Sequence, residues 1–162
     1  MPMKKKTTTK KTSNVNTQGM DPEFISLLNA MKPLDDIVEW DENLEGMVPY
    51  YPYHFIKTTA KYIIATALND PDIEISFAVR GADRELAYIF GYNGCECNLI
   101  VKTTGIQVFA SYASAEFDTH YYDEHASVKT IAEIKKILDE LTEKVIRKTI
   151  LDAAKQHGLM LK

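Results

Sequence analysis

IEISFAVR (73–80), ELAYIFGY (85–92), CECNLIVKT (95–103) and IQVFASYA (106–113) are four consecutive segments in which side chains alternate between two faces. That period of two is the signature of half-buried β-strands. Asn93-Gly94 joins the second to the third. It is the strongest short hairpin signal, because a type I′ turn needs positive φ at both central positions. A two-residue turn there pairs Tyr92 with Cys95, Phe90 with Cys97, Tyr88 with Leu99, Leu86 with Val101 and Glu85 with Lys102. A four-residue loop at 81–84 pairs Arg80 with Glu85, Val79 with Leu86, Phe77 with Tyr88 and Ile75 with Phe90. A weaker turn at Thr104-Gly105 pairs Val101 with Val108 and Leu99 with Ala110.

All three turns put the same set on one face, including Ile73, Ile75, Phe77, Val79, Leu86, Tyr88, Phe90, Cys95, Cys97, Leu99, Val101, Val108, Ala110 and Tyr112. A slip of one residue inverts a strand, so this agreement carries weight. The flanking pairs Arg80–Glu85 and Glu85–Lys102 match in sign. The reverse face is polar at its margins. At its centre Ala78, Ala87, Ile89, Ile100 and Phe109 form an apolar strip, larger than a solvated face needs and therefore a candidate contact surface. The alternative is that residues 22–47 fold over it.

Helices flank the strands. Phe24, Leu27, Leu28 and Met31 make one stripe over 22–31, with Asp21 at the N-cap, Pro22 at N1 and Pro33 as the stop. PYYPYHF (49–55) reads as an aromatic hinge. A second helix follows over 52–68, burying Ile56, Ala60, Ile63 and Ala67, and Asn69-Asp70-Pro71-Asp72 turns the chain. Residues 114–126 read as irregular and polar. Thr130-x-x-Glu133 is a capping box that starts a helix over 130–156, with Gly158 as its stop. At 1.5 Å per residue that helix is ~40 Å long, against ~27 Å for an eight-residue strand. It either overhangs the sheet, as a dimer or partner element, or breaks near Thr142. The fold class is α+β: a four-stranded antiparallel meander (73–80, 85–92, 95–103, 106–113) packed on one face by helices 52–68 and 130–156.

The chain has 162 residues, 45% hydrophobic and 26% charged, with two cysteines. That is one globular domain without a disulfide framework, and no apolar run approaches the ~20 residues of a membrane span. Without a secretory h-region, a reducing, cytoplasmic compartment is expected. The net charge of −4 is unevenly spread. Lys4, Lys5, Lys6, Lys10 and Lys11 stand in residues 1–20 with no acid, and the remaining 14 basic and 23 acidic residues sum to −9. Residues 1–20 read as a disordered basic tail and 21–162 as a single α+β domain.

Three clusters of chemistry-bearing residues stand out. Cys95-Glu96-Cys97 lacks the C-x2-C spacing and further ligands of a metal site, and alternation puts both thiols on the dry face as small hydrophobes. Asp118, His120, Asp123 and His125, in the acidic stretch 116–125, have the donor types of a metal or acid–base site, but a loop fixes no ligand geometry and the stretch reads rather as a solvated connection. His54 among Tyr50, Tyr51, Tyr53 and Phe55 is either a base or stacking platform, or part of the hinge. Trp40, the only Trp, lies in an acidic stretch that either docks on a basic groove or covers the core. No P-loop, dinucleotide fingerprint, nucleophile elbow or zincin motif is present.

The balance favours a non-enzymatic acidic protein-binding module, an inhibitor or adaptor without cofactor. It would bind a partner with a basic or apolar groove through Ile89, Ile100, Phe109, Ala78, Ala87 and Trp40, with a homodimer as one form. A small metal-dependent hydrolase using the 116–125 cluster is one alternative. A nucleic-acid-associated protein using the five lysines of the tail is another, since a body at −9 repels phosphates.

Overall fold

Asn93 and Gly94 have φ of 53° and 77°, both positive, as the type I′ turn demands. From this hairpin the sheet grows in both directions. The computed structural model describes residues 15–37, 40, 50–114, 120–156 and 158. Its strands are β1 (Ser76–Arg80), β2 (Glu85–Tyr92), β3 (Cys95–Lys102), β4 (Gly105–Ser114) and β5 (His120–Ser127), an antiparallel meander in sequential order. The β1–β2 and β2–β3 registers are those derived from the sequence, from Phe77 opposite Tyr88 to Glu85 opposite Lys102.

Three expectations about the sheet are corrected. It has five strands, because residues 120–127, read as irregular, pair with β4. β1 begins at Ser76, so Ile75 makes no ladder pair with Phe90. The Ile73 N–H is instead held by the Asp70 carbonyl at 3.2 Å. The β3–β4 turn is Thr103-Thr104, which pairs Leu99 with Val108 and Val101 with Ile106. Gly105 follows that turn at φ 156°. This register differs from the expected one by two residues. A two-residue shift preserves the facing of every side chain.

Helices α1 (Pro22–Met31), α2 (Tyr50–Leu68) and α3 (Ile131–Gln156) share one face of the sheet. α3 lies over β4 and β5, and α1 packs along α2. PYYPYHF is therefore not a hinge: the chain is helical from Tyr50, with Pro52 in the first turn, where its missing N–H costs nothing. α2 ends on Asn69 at φ 54°. There the Asn69 and Asp70 N–H groups reach back to the Thr66 and Ala65 carbonyls, closing a Schellman motif.

The capping box at α3 is complete. Glu133 Oε2 accepts from the Thr130 N–H at 2.9 Å, and Thr130 Oγ1 accepts from the Glu133 N–H at 3.3 Å. Asp21 stands at the N-cap position of α1 but makes no side-chain cap there. Its carboxylate accepts the Ile131 N–H of α3 at 2.8 Å, while its own N–H donates to the Lys129 carbonyl. One aspartate thus fastens the start of α1 to the start of α3. Residues 15–20, expected within the tail, turn at Thr17–Met20 and pack Val15 and Met20 on the core.

The core fills the space between helices and sheet. Phe24, Leu27, Leu28 and Met31 of α1 and Tyr53, Ile56, Ala60, Ile63 and Ile64 of α2 are buried there. So are Ile134, Leu138, Leu141 and Val145 of α3, against Leu86, Tyr88, Phe90, Leu99, Val101 and Val108 of the sheet. α3 runs unbroken past Thr142. Its length is accommodated, with Thr149 and Ala154 still buried and Ile150 and Leu151 exposed. The Thr142 hydroxyl donates to the Leu138 carbonyl and accepts from Asn93, pinning the hairpin tip to α3. Among the described residues no helix is long and apolar enough to cross a membrane.

Candidate functional site

The face of the sheet turned away from the helices is built in rows by the ladder. Ala78, Ala87, Ile100 and Gln107 form one row. Ser76, Ile89, Asn98, Phe109 and His125 form the next, and Gly91, Glu96, Ser111 and Asp123 a third. The five predicted strip residues Ala78, Ala87, Ile89, Ile100 and Phe109 are therefore brought together as expected. α1 does not fold over them: Phe24, Leu27, Leu28, Met31, Leu34 and Trp40 all belong to the core on the other side, while residues 38, 39 and 41–47 of the stretch weighed as a cover lie outside the described residues.

The strip is not uniformly open. Ala87 is inaccessible and Ile100 only 4% exposed, although no core residue lies over them. Over Ala87 the cover is polar. Arg80 Nη2 reaches from β1 across β2 to donate to Asn98 Oδ1 on β3 at 3.0 Å, which lays its side chain over Ala87. Asn98 is fully buried by this arrangement, and its Nδ2 has no hydrogen-bond partner. The Arg80 bond fixes which end of the amide points where, so the orphan is a donor. Glu85, which register puts opposite Arg80, pairs instead with Lys102 at 3.5 Å. Ile89 and Phe109 remain partly exposed on either side of Asn98. Two shallow depressions flank them. One of about 390 Å³ is lined by Arg80, Ile100, Phe109 and His125 among others. The other, about 410 Å³, lies over Gly91 between Glu74 and Glu96. Around Gly91 the space is empty within 4 Å of where a Cβ would stand.

The other predicted residues fall elsewhere. Trp40 is buried, donates from Nε1 to the Leu34 carbonyl at 3.2 Å, and carries the Arg84 guanidinium over its ring at 5.3 Å. It serves the core and not the strip. Cys95 and Cys97 are buried free thiols. Burial pushes the Cys97 thiol up to about 12, helped by the neighbouring Cys95 and Glu96 charges, and burial also raises that of Cys95. Both shifts favour the protonated thiol over the thiolate that a nucleophile or metal ligand needs. His125 and Asp123 are exposed on the reverse face of β5. Position 120, at the start of β5, pairs with Ser114 at the end of β4. Positions 120 and 125 stand ~17 Å apart along the strand. Asp118 lies outside the described residues, as do the tail lysines Lys4, Lys5, Lys6, Lys10 and Lys11. Among the described residues no three His, Cys, Asp or Glu side chains converge as a metal-ligand set.

A second feature has no counterpart in the sequence reading. Between α2 and the outer edge of β1 lies a cavity of about 250 Å³. His54, Lys57 and Lys61 form its helical wall, Ile75 and Phe77 its strand wall, and Tyr88 its floor. Tyr53 packs edge-on against Phe77 with ring centroids 5.5 Å apart, holding the helix to the strand. The signal was present: positions 54, 57 and 61 share one helical stripe, cationic within an acidic body.

Comparison of the chain with protein-family models, with curated proteins and with solved structures finds no match.

Proposed function

We propose that the chain is a non-enzymatic protein-binding module, an adaptor or inhibitor, that receives a basic partner protein on the reverse face of its sheet. One observation carries the reading: with the helices gathered on one side, Ile89 and Phe109 stay partly exposed at the centre of the other. Around them the surface is acidic at one end, where Glu74 and Glu96 border the empty space over Gly91 and Asp123 stands on β5. A partner lysine or arginine fits there with its stem on Ile89 and its head between the two glutamates. The orphan donor of Asn98 gives the same patch an unspent hydrogen bond. The two reduced, buried thiols suit a cytoplasmic setting.

The test is a comparative capture from native lysate with wild type, Ile89→Asp and Phe109→Asp, read by mass spectrometry and repeated with the purified candidate. A partner retained by wild type and lost by both variants, with far-UV circular dichroism and melting temperature preserved, supports the reading. Loss of the fold in either variant means that the face is interior and ends it. Identical captured sets do the same.

A further inference from the structure

We infer that the groove between α2 and the open edge of β1 is a second binding site. It takes an extended segment of a partner protein as a sixth strand and holds an acidic side chain of that segment between Lys57 and Lys61. This goes beyond the reverse-face reading and does not depend on it.

The backbone comes first. A type I′ turn makes Tyr92 and Cys95 a pair that exchanges both hydrogen bonds. Alternation from there aims the backbone groups of Tyr88 and Leu86 at β3, and those of Ile89, Ala87 and Glu85 at β1. On β1, Ser76, Ala78 and Arg80 therefore face β2, while the N–H and C=O of Phe77 and Val79 point outward. No hydrogen bond reaches these four groups among the described residues. Edge strands are usually guarded by proline, a bulge or an inward charge. SFAVR has no proline, and its one charge, Arg80, is turned back onto Asn98.

The side chains add specificity. In a strand paired through Phe77 and Val79, every second side chain falls on the helix side, where the α2–β1 cavity opens. That cavity is apolar along β1 and Tyr88 and cationic along α2. Lys102, Lys135, Lys144 and Arg147 are matched to carboxylates, whereas among the described residues Lys32, Lys129, Lys136 and Lys155 are not; what sets Lys57 and Lys61 apart is their place on the wall of this cavity. Lys57 and Lys61 face no carboxylate among the described residues; Lys57 Nζ rests over the Tyr53 ring at 5.9 Å. In a chain of net charge −4, two cations left unmatched beside an unpaired strand fit an acidic occupant. A second copy joined β1 to β1 fits poorly, because it brings the same lysines of both chains to one side of the joined sheet.

The probe is a random linear-peptide display library selected on the immobilised full chain. The expected result is convergence on peptides of alternating apolar pattern with Asp or Glu at one fixed position. A synthetic copy binds wild type and loses about tenfold or more in affinity on Lys61→Glu, and Lys57→Glu/Lys61→Glu selects Lys or Arg at that position instead. Val79→Pro removes an outward N–H and no bond to β2, so it abolishes peptide binding with the melting temperature retained. Ile89→Asp and Phe109→Asp leave the peptide affinity unchanged, which separates this site from the reverse face. The inference is overturned by a library that does not converge, by peptides without an acidic position, or by binding indifferent to charge reversal. It is also overturned by sedimentation showing a dimer that Val79→Pro dissociates. Should Val79→Pro not fold, the charge-reversal selection decides.

Discussion

Leu99 and Ile100 are neighbours in β3 and almost equally hidden, at 1% and 4% exposure, yet they are buried by different means. Leu99 faces the helices and is surrounded by other apolar side chains. Ile100 faces the other way, between Ala87 and Gln107 in register and beside the guanidinium that crosses to Asn98. Burial is therefore not the same thing as membership of the core. One face is closed by close packing of rigid elements. The other carries a long side chain laid across it, which solvent or a partner can lift.

The sharpest way to break this comparison is to truncate both neighbours. Leu99→Ala leaves a cavity among residues that cannot collapse into it, and is expected to cost about 2–5 kcal/mol in urea unfolding. Ile100→Ala removes similar volume under flexible side chains that can settle, and about 1 kcal/mol is expected. Equal losses would make the reverse face a second core and remove the basis for docking there.

A smaller effect, of opposite sign, is expected at Asn98. Its buried Nδ2 forfeits its bonds to water and gains none in return. Asn98→Leu removes that cost, and Arg80 can then turn to solvent. The variant is expected to be unchanged or up to about 1 kcal/mol more stable, measured by the urea midpoint. A clear loss of stability would show that the Arg80–Asn98 bond holds the face together, in which case it is structural and not a cover.

How far the sequence reveals this molecule depends on the same two-sidedness. The facing of β1 to β4 was legible because Asn93-Gly94 fixes one register and alternation propagates it. The β3–β4 register was not, since a shift of two residues leaves every side chain on its original face; no hydrophobic pattern can detect it. β5 was missed because its pattern is polar on both sides. On the helix side Glu124 stands at a strand position facing α3, and Lys144 of α3 answers it at 3.5 Å, a partner twenty residues away that periodicity does not reveal. The reverse strip was legible as a set of residues. Its partial closure by Arg80 was not, because a side chain that crosses two strands obeys no local period. Asp21 is the N-cap residue of α1, as its place in the sequence indicates, but its carboxylate caps α3 instead, and that recipient lies 110 residues on.

The smallest expected effect concerns the tie between the hairpin tip and α3. The Tyr92 hydroxyl donates to Asp139 Oδ1 at 2.5 Å, and Asn93 Nδ2 adds a bond at 3.2 Å. The Tyr92 bond holds the Asp139 carboxyl below its ordinary 3.8, with Asn93 and Lys135 contributing. Burial, and then Asp139 itself, raises the Tyr92 hydroxyl above its ordinary 10.0. A carboxyl with a lowered folded pKa contributes stability that is complete above its unfolded value and lost as pH falls through the folded one. A phenol with a raised pKa contributes stability that is complete below its unfolded value and lost as pH rises through the folded one. The tie is therefore intact between about pH 4 and pH 10 and weakens outside both limits. The Asp139 side chain is 46% exposed, so solvent screens the interaction and the change is modest. Tyr92→Phe is expected to flatten the fall in urea midpoint below pH 4 relative to wild type, with the neutral-pH profile parallel. An unchanged acid limb would mean that other carboxylates set the acid stability and that the hairpin tip is held to α3 by Asn93 and Thr142 alone.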